Sequence, residues 1–460
     1  MTWTADQLAE RCGGTLSGDG GTRVGGVSTD TRDLGRGELF VAIRGPNFDG
    51  HDFARAAAES GASCLLVSEP VPEDLDLPRI RVSDTVEALG RLARAHRDCF
   101  DLPVIAITGS NGKTTTRELC AAVLEAGGAR VHRSPGNLNN HIGLPLSVLG
   151  LRDGDDALLV EMGMNHAGEI AGLCEIARPT VAAITNVAPA HLGPLGSLDA
   201  IARAKGEIFE GLERSGTAVV NADDKRVAAQ ARRFAGERIR FGRAAGCELR
   251  ASDERPAGAR SRFALDTPAG RIELSLGAVG LHLTDGALCA AAAAWASGLL
   301  GADPLAALRS GLEGFAGVPG RGGLLATPGG LILIDDTYNA NPHSVCAALR
   351  TLAALEGGAR RVAVLGDMFE LGPAEAELHA GCGRAAAEAR VDLLLGVGPL
   401  SAHTARAARD AGVSCALHSE ELDGALDELR SRLRPGDHVL VKGSRGMRME
   451  RVVHALMECA

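Results

Sequence analysis

The chain has 460 residues, 45% hydrophobic and 23% charged, which is ordinary globular usage and excludes a largely disordered protein. At roughly 150 residues per domain this length suggests about three domains. A net charge of -10 with a pI near 5.8 argues against a nucleic-acid partner, which usually meets a basic surplus. No run approaches the ~20 apolar residues of a membrane span, and Met1–Glu10 lacks the basic start and apolar stretch of a signal peptide. The 11 cysteines are scattered without a CxxC pair, so free thiols in a reducing cytoplasm are expected. With 3% aromatic residues, the cores should be built from Leu, Val, Ile and Ala. Of 48 basic residues only Lys113, Lys205, Lys225 and Lys442 are lysines, leaving 44 arginines. Each lysine is therefore a candidate for work that a guanidinium cannot do, as a compact charge or a modifiable amine.

Residues 1–101 read as a small α/β domain, with strands at 38–43 and 64–67 and helices at 52–60 and 85–97. Asp101-Leu102-Pro103 marks a boundary. Over 102–317 strands at 104–108, 157–161, 181–186 and 218–221 alternate with helices at 115–126, 168–177 and 198–212, the pattern of a parallel sheet. Short strands fill 236–283, an Ala-rich helix covers 285–300, and the Gly/Pro cluster of residues 317–323 marks a second boundary. Over 318–460 strands at 331–335, 361–365, 392–396 and 438–441 again alternate with helices. The expected architecture is three consecutive α/β domains, the last of them Rossmann-like.

The apolar strand Val104–Thr108 runs into Gly109, Ser110, Asn111, Gly112, Lys113, Thr114 and Thr115, followed by a helix. Strand, glycine-rich turn and Gly-Lys-Thr form a phosphate-binding loop. Its backbone N–H groups and the helix N-terminus favour phosphate oxygens. Lys113 suits the β/γ-phosphates and the Thr114 hydroxyl suits Mg²⁺. Only two residues separate Gly109 from Gly112, so the spacing is not that of the common Walker loop. Glu161 ends a strand, where open α/β sheets place their ligand crevice. His191 and Lys205 follow the next strand. Taken alone, His191 reads as a satisfied polar residue and Lys205 as a solvated helix face.

Residues Thr108–Thr115 resemble the ATP loop of the Mur ligase superfamily. Further matches, in order, are Asn137–Asn140, Glu161–His166 with Gly168–Ile170, Ala204–Phe209, Val318–Arg321, Asp335–Pro342, Gly366–Met368 and Val441–Arg445. The resemblance implies an ATP-dependent ligase of peptidoglycan precursor synthesis. It implies domains over 1–101 for the UDP-substrate, 102–317 for ATP and 318–460 for closing on the nucleotide and binding the incoming dipeptide. Within the superfamily the segments match the branch that joins D-alanyl-D-alanine to UDP-N-acetylmuramoyl-tripeptide (UDP-MurNAc-tripeptide plus D-Ala-D-Ala). A carboxylate is activated as an acyl phosphate and then attacked by the dipeptide amine. No Asp-Asn-Pro-Arg motif of the diaminopimelate- or lysine-adding sister enzymes occurs between Arg361 and Ala460.

Carried over position by position, the resemblance puts Thr114, Glu161, His191 and Lys205 around Mg²⁺. Lys205 carries a carbamate, which turns a repelling amine into an oxygen ligand. Arg321 reaches the γ-phosphate from the third domain, and Asp336, Tyr338, Asn339 and Asn341 surround the adenosine. Ser28, Thr31 and Arg32 belong to the UDP-binding part, where a capped turn is the alternative reading. Asn137, Asn139 and Asn140 face the muramoyl-peptide portion. Lys442 meets substrate or phosphate, or is a solvated strand end, and Lys225 is a surface pair with its acidic neighbours. The chain departs from the family pattern at Leu283 and Gly286, where two asparagines are lost, with Asp285 one position away. The resemblance also implies a cytoplasmic monomer that closes about both domain boundaries.

Overall fold

In the computed structural model, residues 3–189, 195–257, 260–277, 281–357 and 360–458 are described. The strands assemble into three large sheets, one for each third of the chain, with a short antiparallel ribbon pairing Trp3–Thr4 with Arg23–Val24.

The middle sheet positions the site. Its seven parallel strands lie in the order Val131–Arg133, Ala157–Glu161, Val104–Thr108, Val181–Ile184, Thr217–Asn221, Glu237–Gly242 and Leu249–Ala257. An antiparallel meander, Arg260–Thr267 and Gly270–Leu276, completes the edge. The order reverses at Val104–Thr108, which lies between Ala157–Glu161 and Val181–Ile184. Such a switch point opens a crevice at the carboxyl ends of the strands. The central strands are apolar throughout because both faces are covered. Val104, Ala106, Leu158, Val160, Ala182 and Ile184 enter one core, and Ile105, Ile107, Leu159, Val181, Ala183 and Val219 enter the other.

The helix Leu281–Ser297 packs on the second face, with Ala287 and Ala290–Ala294 fully buried. Its small side chains let the backbone lie close to the helix Lys113–Ala126. It starts a turn earlier than its Ala-rich stretch predicts, since Leu283 already packs inward. The low aromatic content does not keep rings out of the core. Phe40, Phe209, Phe241 and Phe263 are among the largest fully buried side chains.

The first sheet runs Thr15–Ser17, Arg79–Arg81, Cys64–Val67, Leu39–Val41 and Val27–Ser28, all parallel except the first pair. Its boundary with the middle region is not a hinge. Leu89, Leu92 and Ala93 of the helix Thr85–Arg97 share one buried cluster with Leu144, Val148, Ile170 and Leu173. Arg97 Nε donates to Ala177 O (3.1 Å), His96 Nε2 meets Leu151 O (3.0 Å) and Arg178 pairs with Asp98 (3.0 Å). A core continuous across residue 101 leaves no loose joint there.

The third sheet has the order Gly323–Ala326, Ile332–Asp336, His438–Lys442, Arg361–Gly366, Leu393–Val397 and Cys415–Ser419. All its pairs are parallel except the first. Its two buried clusters draw on residues beyond 323 alone, so this domain has its own core. Among the described residues, no helix is long and apolar enough to cross a membrane.

The asymmetry of these boundaries sets an expected outcome. Truncating Leu92, fully buried in the shared cluster, to Ala should cost about 2–5 kcal/mol. In scanning calorimetry the loss should lower the transition of the first two domains together and leave that of the third in place. A separate low-temperature transition for residues 1–101 would contradict the shared core.

Candidate active site

The phosphate loop is a tight turn between the strand Val104–Thr108 and the helix Lys113–Ala126. Gly109 has φ 153°, and a Cβ there would lie 1.8 Å from Thr185 Oγ1, so only glycine lets the loop pass this wall. The loop is pinned to the neighbouring strand end. Ser110 N donates to Asn186 O (3.0 Å), Asn111 N to Asn186 Oδ1 (3.1 Å), and Thr185 Oγ1 to Asn111 O (2.6 Å). Thr185 and Asn186 escaped the sequence reading of the site. Their signal was a pair of polar residues at the end of an apolar strand. With the backbone so fixed, the first N–H groups of the helix are free to bind anions.

A cleft of about 1670 Å³ opens over this loop and is lined from all three sheets' domains. Ser110, Asn111, Gly112, Lys113, Thr114, Thr115, Asn137, Asn139, Asn140, Glu161, Lys205, Arg321, Asp336, Tyr338, Asn339, Asn341 and Lys442 all line it, so most of the sequence-derived candidates converge. His191 lies outside the described residues.

Lys113 Nζ donates to its own loop at Gly109 O (2.8 Å). Burial pushes its pKa down, the Glu161 carboxylate opposes this, and the Arg321 guanidinium adds to it. Lys205, on the helix Leu198–Glu210, is 2% exposed and has no hydrogen-bond or ion-pair partner among the described residues. Burial, and then repulsion from Lys113, lowers its pKa well below the ordinary 10.5. Arg321 comes from the third domain with its guanidinium 3.8 Å from the centre of the Tyr338 ring, the chain's single tyrosine. Its pKa too is lowered, chiefly by burial. Three basic side chains thus line one cleft with the buried carboxylate of Glu161. That arrangement calls for a polyanion.

Glu161 is 1% exposed. Its Oε1 lies 2.9 Å from Arg117 Nη1 but accepts no directed hydrogen bond, and its Oε2 is 3.4 Å from Asn139 Nδ2. A buried carboxylate oxygen with an open lone pair, in a cleft that Thr114 also lines, suits Mg²⁺, which takes few protein ligands and completes its shell with phosphate and water. No three His, Cys, Asp or Glu side chains gather as a ready-made metal cage among the described residues.

The third domain's contribution is more ordered than its sequence suggests. Lys442 is 2% exposed, not a solvated strand end: its Nζ donates to Asp336 Oδ2 (2.6 Å) and Asn339 O (2.8 Å). This pair fixes the turn that presents Tyr338 and Asn339. Asn341 caps the helix Pro342–Ala354, and its Nδ2 donates to Asn111 Oδ1 (2.6 Å) of the phosphate loop, a direct bond between second and third domains. Asn140 is likewise partly structural, its Oδ1 accepting from Gly143 N (2.8 Å) and Ile142 N (3.1 Å).

At the far end of the cleft, Arg243 is clamped by Glu254 (2.6 Å), Asp285 (2.6 Å) and Asp223 (3.1 Å). Asp285 therefore serves Arg243 in this structure, and Asp223 does so too, while Asp224 caps the helix Lys225–Ala231. Lys225 is an exposed residue that lines the cleft and makes no ion pair among the described residues.

Ser28, Thr31 and Arg32 do not line the cleft. Arg32 forks onto Asp30 of its own turn, at 2.5 Å for the closest contact, and holds that carboxyl down at about 2. Ser28 Oγ donates to Asp30 O (3.0 Å). The segment is a self-satisfied turn on the first domain.

Comparison with known proteins agrees with this geometry. Three family models match in chain order: Mur ligase family, catalytic domain over residues 23–97; Mur ligase middle domain over 107–294; and Mur ligase, glutamate ligase domain over 320–445. The UDP-N-acetylmuramoyl-tripeptide–D-alanyl-D-alanine ligase of Escherichia coli K12 is 39% identical over 99% of this chain and 98% of its own. A crystal structure of MurF from Acinetobacter baumannii superposes with a TM-score of 0.89 at 33% identity, covering 100% of this chain and 99% of that one. MurF from Thermotoga maritima in complex with ADP gives 0.83 at 28% identity, over 94% and 97%. Phosphate loop, convergent cations and three-domain layout, matched along the whole chain, make this protein a member of the Mur ligase family.

Proposed function

We propose that this chain is an ATP-dependent amide ligase that joins D-alanyl-D-alanine to the terminal carboxylate of UDP-MurNAc-tripeptide. The observation that carries the reading is the meeting of Lys113, Lys205, Arg321 and Glu161 in one cleft walled by all three domains. A carboxylate is a poor electrophile, and the reaction must bring it against the γ-phosphate of ATP, another anion. Preorganised positive charge in a water-poor cleft lowers that barrier. The relatives' names supply the substrates, and the absence of an Asp-Asn-Pro-Arg run favours the dipeptide over a free diamino acid as the amine.

In this reading the N–H groups of residues 109–115 anchor the phosphates. Lys113 exchanges its bond to Gly109 O for phosphate oxygens, and Arg321 stabilises the γ-phosphoryl group from the third domain. Asn137 and Asn139 hold the peptide end of the UDP-substrate, and Asp336, Tyr338, Asn339 and Asn341 the nucleoside. Ser28, Thr31 and Arg32 bind the UDP end once Arg32 releases Asp30. Mg²⁺, held by Thr114, Glu161, His191 and a carbamylated Lys205, would supply charge neutralisation between the two anions. Lys205 suits that modification. Its unpaired, buried amine is driven to the neutral form, whose lone pair adds to CO₂, and loss of the proton leaves a carbamate.

Phosphate release should require ATP, Mg²⁺, UDP-MurNAc-tripeptide and D-Ala-D-Ala together, with the UDP-pentapeptide as product. Lys113→Ala should lower kcat by about 10²–10³. Release seen only with UDP-MurNAc-dipeptide plus free diaminopimelate or lysine would transfer the assignment to the sister ligase.

The folded pKa of Lys205 lies below its unfolded value, so between the two the unfolded chain binds one more proton and stability rises with pH. Lys205→Met should therefore stabilise the ligand-free protein at pH 7 in CO₂-free buffer, by about 1–3 kcal/mol, and the gain should shrink as pH approaches 10.5. Bicarbonate should raise the Tm of the parent and not of the variant. An equal bicarbonate response in both would remove Lys205 as the carbamate site.

A further inference from the structure

Arg117 stands one helical turn beyond Lys113 on the helix that starts at the phosphate loop, and it is 3% exposed. Its guanidinium divides its contacts between two edges. One edge, Nε and Nη2, forks onto Glu118 Oε1 at 2.9 and 2.5 Å. The other, Nη1, donates to Gly136 O (2.9 Å) and lies 2.9 Å from Glu161 Oε1. Glu118 is itself held from behind by Arg133 (3.3 Å), which also pairs with Glu125 (2.8 Å).

The chemistry of this arrangement is directional. The N–H of Nη1 is aimed at the Gly136 carbonyl, so the guanidinium balances the charge of Glu161 without occupying its Oε1 lone pair. Gly136 opens the loop that carries Asn137, Asn139 and Asn140, and Asn139 turns back to Glu161 (3.4 Å). One buried cation therefore touches the phosphate-loop helix by covalent attachment, the strand-end carboxylate by charge and the substrate-side loop by hydrogen bond. A buried ion pair adds little to stability by itself, since desolvation offsets the attraction. Its placement at the junction of three site elements is what needs an explanation.

We infer that Arg117 is a positioning residue that locks Glu161 and the loop of residues 135–140 to the phosphate-loop helix, so that nucleotide, cation and UDP-substrate are presented in one fixed relation. Glu118 is its clamp: it sets the orientation of the fork and leaves Nη1 free for the site. The inference rests on the ligase reading for the identity of the substrate, but its cation limb can be tested without any turnover.

The experiment compares full-length parent, Arg117→Met, Arg117→Lys and Glu118→Gln. ADP affinity is measured by calorimetry with Mg²⁺ and with EDTA, UDP-MurNAc-tripeptide affinity without nucleotide, and then KM for ATP and kcat. Arg117→Met should lose about tenfold or more of the Mg²⁺-dependent gain in ADP affinity and weaken UDP-substrate binding by a similar factor. ADP affinity in EDTA should stay within about twofold, because residues 109–112 are held by Thr185 and Asn186 and not by Arg117. Arg117→Lys should recover part of both losses, since it restores the charge without the fork. Glu118→Gln, which leaves the guanidinium in place, should shift the same two constants by less. It carries the test if Arg117→Met does not fold. Unchanged Mg²⁺ and UDP-substrate constants, or a uniform loss that includes ADP in EDTA, would overturn the inference. A parent that binds Mg·ADP but releases no phosphate with tripeptide and dipeptide would instead fail the ligase reading.

Discussion

The site depends on positive charge kept out of water and left uncompensated. Lys113, Lys205 and Arg321 line one cleft with Glu161, and burial above all weakens the hold of each on its proton. Outside such a site, a fold avoids this arrangement or cancels it with carboxylates. Here the framework sustains it. The phosphate loop is pinned by side chains of the adjacent strand, the strand ends are fixed by a sheet buried on both faces, and Arg321 is seated against Tyr338. The deficit of negative charge is the binding site's main property, and it suits the proposed reaction, which brings a triphosphate against a carboxylate.

The two joints of the molecule divide the work differently. First and second domains share one core, so the geometry between the first-domain surface and the phosphate loop is set by folding. The third domain has separate cores and meets the second near the loop through the bond between Asn341 and Asn111. Separate cores make the second joint, around the glycine cluster before the third sheet, the less tightly packed of the two. Opening it would withdraw Arg321 and the Asp336–Asn341 turn from the cleft together.

Much of this was legible in the sequence because short-range rules govern it. The apolar run before Gly109, the Gly-Lys-Thr turn and the strand-end position of Glu161 all follow from local pattern, and the central elements lie within a few residues of where that pattern puts them. Tertiary partners could not be read this way. Nothing near Lys442 in sequence announces Asp336, which becomes its neighbour only through the register of two adjacent parallel strands. The same holds for Arg243, which gathers acids from three separate segments, and for Arg117, whose neighbouring glutamate is visible in the sequence while Gly136 and Glu161 are not. The shared core of the first two domains was also hidden, because Asp-Leu-Pro looks like a linker whatever packs around it. Side chains that act through long-range contacts leave no periodicity.

The scarcity of lysine has a practical consequence. Lys205 and Lys442 are buried and Lys113 points into its own loop, so Lys225 is the one side-chain amine that stands clear of the protein surface. It stands on the rim of the cleft. A reagent that acylates amines would find it without any engineered handle. A fluorophore attached there would sit at the mouth of the cleft, so the natural sequence already supplies an optical probe of whatever enters it.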